Sequence, residues 1–246
     1  MPHDNAPAVP DVPLVPNCRE LGGIPAAGGR CVRRGVLWRS GHLFGLAARS
    51  RRQLAALDIT RIIDLRMPFE RAWEPDIPLE ARNIHLPIEP LVARHFAKYP
   101  EAPECMTAPE MMQLMQATYC DFITGQAARF AAFFALLLEG DGEPLLFHCS
   151  AGKDRTGIAA ALLLLALGAE QEDVMHDYLQ SAAHCYPPPG VDGDAMRLLW
   201  GVHPDYLRAA LHEITLQGGI DAWLLRALHI GAPERERLRA LYLEAV

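Results

Sequence analysis

The sequence predicts an α/β domain, with a central and mostly parallel sheet flanked by helices. Three observations point there. Short runs of strand length, such as "RIIDLR" (61–66) and "LLF" (145–147), alternate along the chain with stretches of helical periodicity. Phe130, Phe133, Phe134, Leu137 and Leu138 keep the spacing of an amphipathic helix. Hydrophobic residues make up 50% of the 246, ample for a core and incompatible with disorder. Strands separated by helices, and not by tight turns, are the pattern of parallel pairing.

Each element follows in order. Residues 1–16, rich in proline, read as a flexible arm, and 17–246 as one folded domain. "NCRELGG" (17–23) reads as a turn, followed by a strand at Val36-Leu37-Trp38. Leu46 to Leu57 predicts a helix with Leu54 and Leu57 on one face and Arg49, Arg51 and Arg52 solvated. "RIIDLR" (61–66) and "RNIHLPI" (82–88) are strands, the second closed by Pro87 and Pro90.

Pro90, Pro100, Pro103 and Pro109 argue against regular structure over 89–109, and a helix begins near Met111. The stretch at about 89–118 is expected as a lid over a site. A helix over 126–139 ends at Gly140-Asp-Gly142, and strand 144–148 leads to a helix over 156–167. "CYPPPG" (185–190) is a break, and helices near 192–200, 204–216, 220–229 and 233–244 form a C-terminal layer.

A net charge of −7 argues against nucleic acid as a partner, so any phosphate must be met by a local positive site. The first residues carry no basic and apolar signal regions, and the longest apolar run, Ile158–Leu167, is about half a membrane span. No integral membrane segment and a cytoplasmic location are therefore expected. Six cysteines without a CxxC pair suit reduced thiols. Ten histidines without an HExxH or a zinc-like spacing suit no metal and no cofactor. Oligomeric state is not legible.

The decapeptide "HCSAGKDRTG" (148–157) carries the chemistry. A loop between a strand and a helix N-terminus aims backbone N–H groups at one point, where the helix dipole adds positive potential. Gly152 lets the backbone curl, and Arg155 can grip two phosphate oxygens with its planar fork. That setting favours the thiolate of Cys149, a nucleophile aimed at phosphorus. Ser150, Ala151, Gly152, Lys153 and Thr156 would line the cradle, with the Thr156 hydroxyl steadying the thiolate and His148 orienting the loop backbone.

This decapeptide matches the HCx5R(S/T) signature of protein tyrosine phosphatases, and it resembles more narrowly the bacterial tyrosine and dual-specificity phosphatases whose loop reads HCxxGKDRTG. The resemblance extends to Asn17, Arg19 and Leu21-Gly22-Gly23, to Arg39-Ser40, to Asp64-Leu65-Arg66 with Glu70, and to "DYLQS" (177–181). It covers about 17–244. It implies a tyrosine phosphatase-like fold, a phosphorylated protein or phosphoinositide as substrate, and Asp154 as the general acid.

From the residues alone four aspartates compete for that acid. Asp154 lies inside the cradle, and Asp64 ends a predicted strand and is the alternative. Asp121 in "YCDFI" and Asp76 in "WEPD" read as surface charges. Arg66 is expected to brace Asp64, to meet substrate or to orient the cradle from outside. Lys153 reads as a solvated lysine, or, as the resemblance suggests, as a contact for a highly anionic substrate. Inositol-phosphate hydrolysis, rhodanese-like sulfur transfer and silent phosphate binding are the competing functions. The Gly-Lys-Asp-Arg-Thr run disfavours the second, and the presence of thiol, arginine and acid together disfavours the third.

Overall fold

Side chains alternate between the two faces of a sheet, and that period of two organises the core. The computed structural model describes residues 15–246, so most of the expected arm, 1–14, lies outside the described residues. In chain order β1 (Arg19–Glu20), β2 (Pro25–Ala26), β3 (Arg30–Val32) and β4 (Leu37–Ser40) precede α1 (Ala48–Ala55). Next come β5 (Arg61–Asp64), α2 (Pro68–Trp73), β6 (Arg82–His85), α3 (Leu91–Lys98), α4 (Ala102–Cys105), α5 (Ala108–Thr124) and α6 (Ala127–Glu139). β7 (Leu145–His148) leads into α7 (Asp154–Leu167) and α8 (Gln171–Gln180). The chain closes with α9 (Asp194–Trp200), α10 (Pro204–Leu216), α11 (Ile220–Leu228), α12 (Ala232–Tyr242) and β8 (Leu243–Ala245).

The main sheet has the order β1-β4-β7-β5-β6, parallel throughout except at β1. The mostly parallel sheet expected from the sequence is thus found. Leu37, Ile63, Leu145 and Phe147 face a large core shared with α5, α6 and α7, while Trp38, Ile62 and Leu146 face a smaller one with Leu54 and Leu57. Helix α7 is buried on nearly every side, as its unbroken apolar run requires. A second, antiparallel sheet β2-β3-β8 joins the two ends of the described chain. The helix expected to reach 244 stops at Tyr242, because Leu243–Ala245 pairs with Arg30–Val32 instead.

Two further expectations are corrected. Residues 89–109 are not irregular, for α3 and α4 form there. Pro90 stands just before α3, and Pro103 and Pro109 sit in the first turns of α4 and α5, where a missing N–H breaks no helical hydrogen bond. The stretch expected as a lid also divides. Met111 and Met115 of α5 are fully buried core residues, whereas no residue of α3 or α4 is buried.

Because β7 runs parallel between β4 and β5, the carboxyl ends of three strands meet at Ser40, His148 and Asp64. That edge is where parallel sheets present their loops to ligands. Residues 149–153 leave from it.

Candidate active site

The loop from Cys149 to Lys153 is held open by capturing its carbonyls from outside. The backbone N–H of His42 donates to Ser150 O at 2.9 Å. The Asn17 side-chain amide donates to Ala151 O at 3.1 Å and Gly152 O at 2.9 Å, and Arg39 Nη2 donates to Gly152 O at 2.8 Å. In a trans peptide the next N–H points opposite the carbonyl. The amides of Ala151, Gly152 and Lys153 therefore turn toward the concave side, and none has an acceptor among the described residues. With the α7 N-terminus behind them, they form an anion cradle. Gly152 sits at φ +69°, and a Cβ there would lie 2.5 Å from the Ser40 carbonyl, so only glycine fits. Cys149 is buried in the floor, 2% exposed.

Behind the loop stands an ionic brace. Asp177 of α8 accepts from Arg19 Nε at 2.8 Å and also pairs with the fully buried Arg39. Burial pushes the Asp177 carboxyl up, but the charges of Arg39 and Arg19 outweigh it and hold the group below the usual range. Arg39 thus anchors α8 to Gly152 through one guanidinium.

Helix α7 begins at Asp154, two residues before the expected start, which puts Asp154 and Arg155 in its first turn. Arg155 Nη1 and Nη2 donate to Glu70 Oε2 and Oε1 at 2.6 and 2.7 Å, a bidentate pair. Glu70 also accepts from the Ser150 hydroxyl and from Met67 N. Nη1 also donates to Leu65 O at 3.5 Å and Nη2 to the Ser150 hydroxyl at 3.4 Å, so Nε is the guanidinium donor without a partner among the described residues. Burial pushes the Glu70 carboxyl up, yet the hydrogen bond and charge of Arg155, then Ser150 and Met67, hold it at about 2.

A depressed carboxyl stabilises the fold above its unfolded value and loses that contribution as pH falls toward 2. The fall from 4.5 to about 2 corresponds to about 3 kcal/mol, counted once for the pair. Thermal unfolding of wild type between pH 5 and pH 2 is expected to show a steeper loss of stability than Glu70→Gln. Equal slopes would remove this role from the pair.

Asp154 carries its carboxyl in the first turn of α7, directly after the loop. Its Oδ1 accepts from Tyr119 Oη at 2.8 Å, and Tyr119 Oη lies 2.8 Å from Tyr178 Oη. Burial, then the charge of Asp154, raise the Tyr119 phenol well above its ordinary value, so it stays protonated and donates. Tyr178 must then donate to Tyr119, and the chain fixes the carboxyl. The Thr156 hydroxyl is buried with no partner among the described residues.

Lys153 corrects both expectations for it. It is 5% exposed, and its Nζ donates to Leu199 O at 2.6 Å and Gly201 O at 2.8 Å, with Asp154 Oδ2 at 3.5 Å. The ammonium closes the C-terminal end of α9, so it is neither solvated nor turned to a substrate.

Asp64 and Arg66 are not brought into the cradle either. Arg66, 1% exposed, donates Nε to Asp64 Oδ1 at 3.0 Å, Nη2 to Asp64 Oδ2 and Asp76 Oδ2, and Nη1 to Glu74 O. Arg71 Nε adds a second cation at 2.9 Å from Asp64. Asp64 is thus a buried, doubly paired carboxylate, and Arg66 braces it as one expectation held. Asp76 is no surface charge: it accepts from Leu43 N at 2.9 Å and lies 3.3 Å from His148 Nε2. The other nitrogen of His148 meets Cys149 O at 3.3 Å, as expected for a loop-orienting residue. Asp121 pairs with Arg94 on α3 at 2.8 Å. The donor atoms of Asp64, Asp76 and His148 lie within 4.8 Å of one another, a spacing that could hold a metal. Arg66 and Arg71 already neutralise both carboxylates, so the cations of this cluster are guanidinium groups.

Glu70, Asn17, Arg39 and Asp177 belong to the quoted motif positions, but their bracing roles were not readable from the sequence. Burial pushes the thiols of Cys18 and Cys185 up to about 12 and about 11, so both stay protonated at neutral pH, and the Cys185 thiol donates to Ala151 O of the loop at 3.9 Å.

Known proteins share this arrangement of sequence. The profile of the tyrosine phosphatase family matches residues 10–244. A Cupriavidus necator protein whose name places it among the tyrosine-protein phosphatases is 34% identical over 242 residues, covering 93% of this chain and 86% of its own. A Mycobacterium tuberculosis protein named triple specificity protein phosphatase PtpB is 29% identical over 195 residues, covering 71% of this chain and 69% of its own. The solved structure of TpbA from P. aeruginosa aligns over 82% of this chain and 91% of its own, with 18% identity and a TM-score of 0.38.

Proposed function

The chain belongs to the tyrosine phosphatase family and is a protein-tyrosine phosphatase, and from that premise we propose how its residues divide the work. Cys149 attacks the phosphorus in line; the sulfur–phosphorus bond forms as the bond to the ester oxygen breaks. Asp154 gives its proton to the leaving oxygen, and as a carboxylate then takes one from the water that hydrolyses the phosphocysteine. The cradle amides and Arg155 balance the charge of the equatorial oxygens in both transition states. Thr156 steadies the thiolate. His148, fixed by Asp76, orients the backbone of Cys149.

The observation that carries this reading is the outward capture of three successive loop carbonyls, which leaves the matching amides aimed at one point beside a buried thiol. Phosphotyrosine is the favoured substrate, with phosphoserine, phosphothreonine and phosphoinositides behind it. Lys153 is committed to the end of α9, so the loop offers no second ammonium for extra phosphate groups. The name of the M. tuberculosis relative supports breadth of substrate. We place the enzyme in the cytoplasm, where a reducing environment keeps the nucleophile and the other free cysteines as thiols.

The test compares phosphate release from a phosphotyrosine peptide, a phosphothreonine peptide and a phosphoinositide in chelator. Fastest release from phosphotyrosine is expected; fastest release from the lipid would reverse the substrate order, and no release would end the reading. Asp154→Asn separates the acid from the cradle. Its loss is expected on the order of 10²–10⁴-fold for phenolic esters with poor leaving groups, and far smaller for a nitrophenyl ester. Equal loss on both would take the acid role from Asp154.

A further inference from the structure

Helix α2 does more than deliver Glu70. Its first turn holds Glu70 against Arg155 and Ser150, and Arg71 reaches Asp64. Phe69 and Trp73, four positions apart and so on one face, point elsewhere: they are 66% and 85% exposed. At about 100° per residue, Trp73 lies only about 60° around the helix from Glu70. An aromatic pair left in water at this degree of exposure, beside a catalytic cradle, has an apolar surface with no internal partner. On the other side of Ser150, the segment whose His42 N–H holds the Ser150 carbonyl carries Phe44, 41% exposed. Helix α2 and the segment that carries Phe44 are therefore both hydrogen-bonded to Ser150.

We propose that Phe69 and Trp73 form a specificity site for an apolar side chain flanking the phosphotyrosine of a protein substrate. The inference rests on the phosphatase reading above and names the substrate feature that site selects. A peptide is the occupant that fits. Glu70 ties α2 to Ser150 and Arg155, so the helix stands beside the cradle that would seat a phosphotyrosine. A phosphoinositide bilayer is anionic and is held by outward-facing clusters of Lys and Arg. This chain carries a net charge of −7, and the loop lysine faces inward.

The test uses phosphotyrosine peptides that differ only in flanking residues, leucine and phenylalanine against alanine. Affinities are measured with the full-length Cys149→Ser chain, and turnover of a small aryl phosphate is measured with chains that keep Cys149. The apolar-flanked peptide is expected to bind roughly tenfold more tightly, the value that about 1.4 kcal/mol of buried contact represents. Trp73→Ala combined with Phe69→Ala should erase that preference while leaving aryl phosphate turnover unchanged. No preference in the Cys149→Ser chain itself, which needs no surface variant, would overturn the proposal. So would a preference that survives the double substitution. Binding to phosphatidylserine vesicles that shifts tryptophan emission and is lost with Trp73→Ala would overturn it in favour of a membrane surface. Failure of aryl phosphate turnover in wild type, with the peptide preference intact, would instead count against the phosphatase chemistry and spare the docking site.

Discussion

Cys149→Ser is expected to lower phosphate release from every substrate by at least on the order of 10³-fold while leaving substrate affinity nearly intact. The two halves of that result have separate causes. Serine keeps the size of the side chain in the cradle floor, and the groups proposed to hold an anion are backbone amides and Arg155, none of which the exchange touches. What disappears is the sulfur nucleophile, since an alcohol attacks phosphorus far less readily than a thiol near neutral pH. Initial rates on a phosphotyrosine peptide, set beside binding of the same peptide, measure both. Residual turnover within tenfold of wild type would show that the sulfur forms no bond to phosphorus.

Arg155→Lys is expected to lower kcat on the order of 10²–10³-fold and to destabilise the fold as well. Lysine carries the same charge but a single point of it, so it cannot span both Glu70 oxygens and still offer a second edge to a phosphoryl group. Glu70, held at about 2 by the guanidinium, then faces a poorer partner in a site where it is mostly buried. Breaking a buried pair on one side costs about 3–5 kcal/mol. Glu70→Gln serves as the comparison: it removes the brace but keeps the guanidinium, so its stability should fall while its kcat falls less. Measurement of kcat and thermal unfolding on both variants decides the matter. If Glu70→Gln lost as much kcat as Arg155→Lys, the guanidinium would act through its brace alone.

The sheet, the central helix and the position of the candidate loop were legible because their signals are local. Cys149, Asp154 and Arg155 lie close together where the chain passes from a strand into a helix, and the apolar run after them announces α7. The braces were not legible as braces because they are distant in sequence. Glu70 meets Arg155 across 85 positions, Asn17 meets Gly152 across 135, and Arg39 meets Asp177 across 138. Nothing in a local window says that Asp76 is drawn under the sheet by Arg66 while Asp121 stays on a helix surface. Lys153 misled for the same reason, because the carbonyls it satisfies stand 46 and 48 residues away. The prolines of 89–109 misled differently. Proline breaks a helix interior but suits a first turn, and the sequence alone does not say which position each one takes.

The most direct measurement is acid quenching of wild type during turnover of a phosphotyrosine peptide labelled on its phosphate, followed by mapping of the label on the protein. Label is expected on the peptide that contains Cys149, held as a phosphocysteine, more abundantly in Asp154→Asn if that carboxylate also activates the second-step water. Label on another residue, or none on protein while phosphate is being released, would contradict a two-step reaction at this thiol.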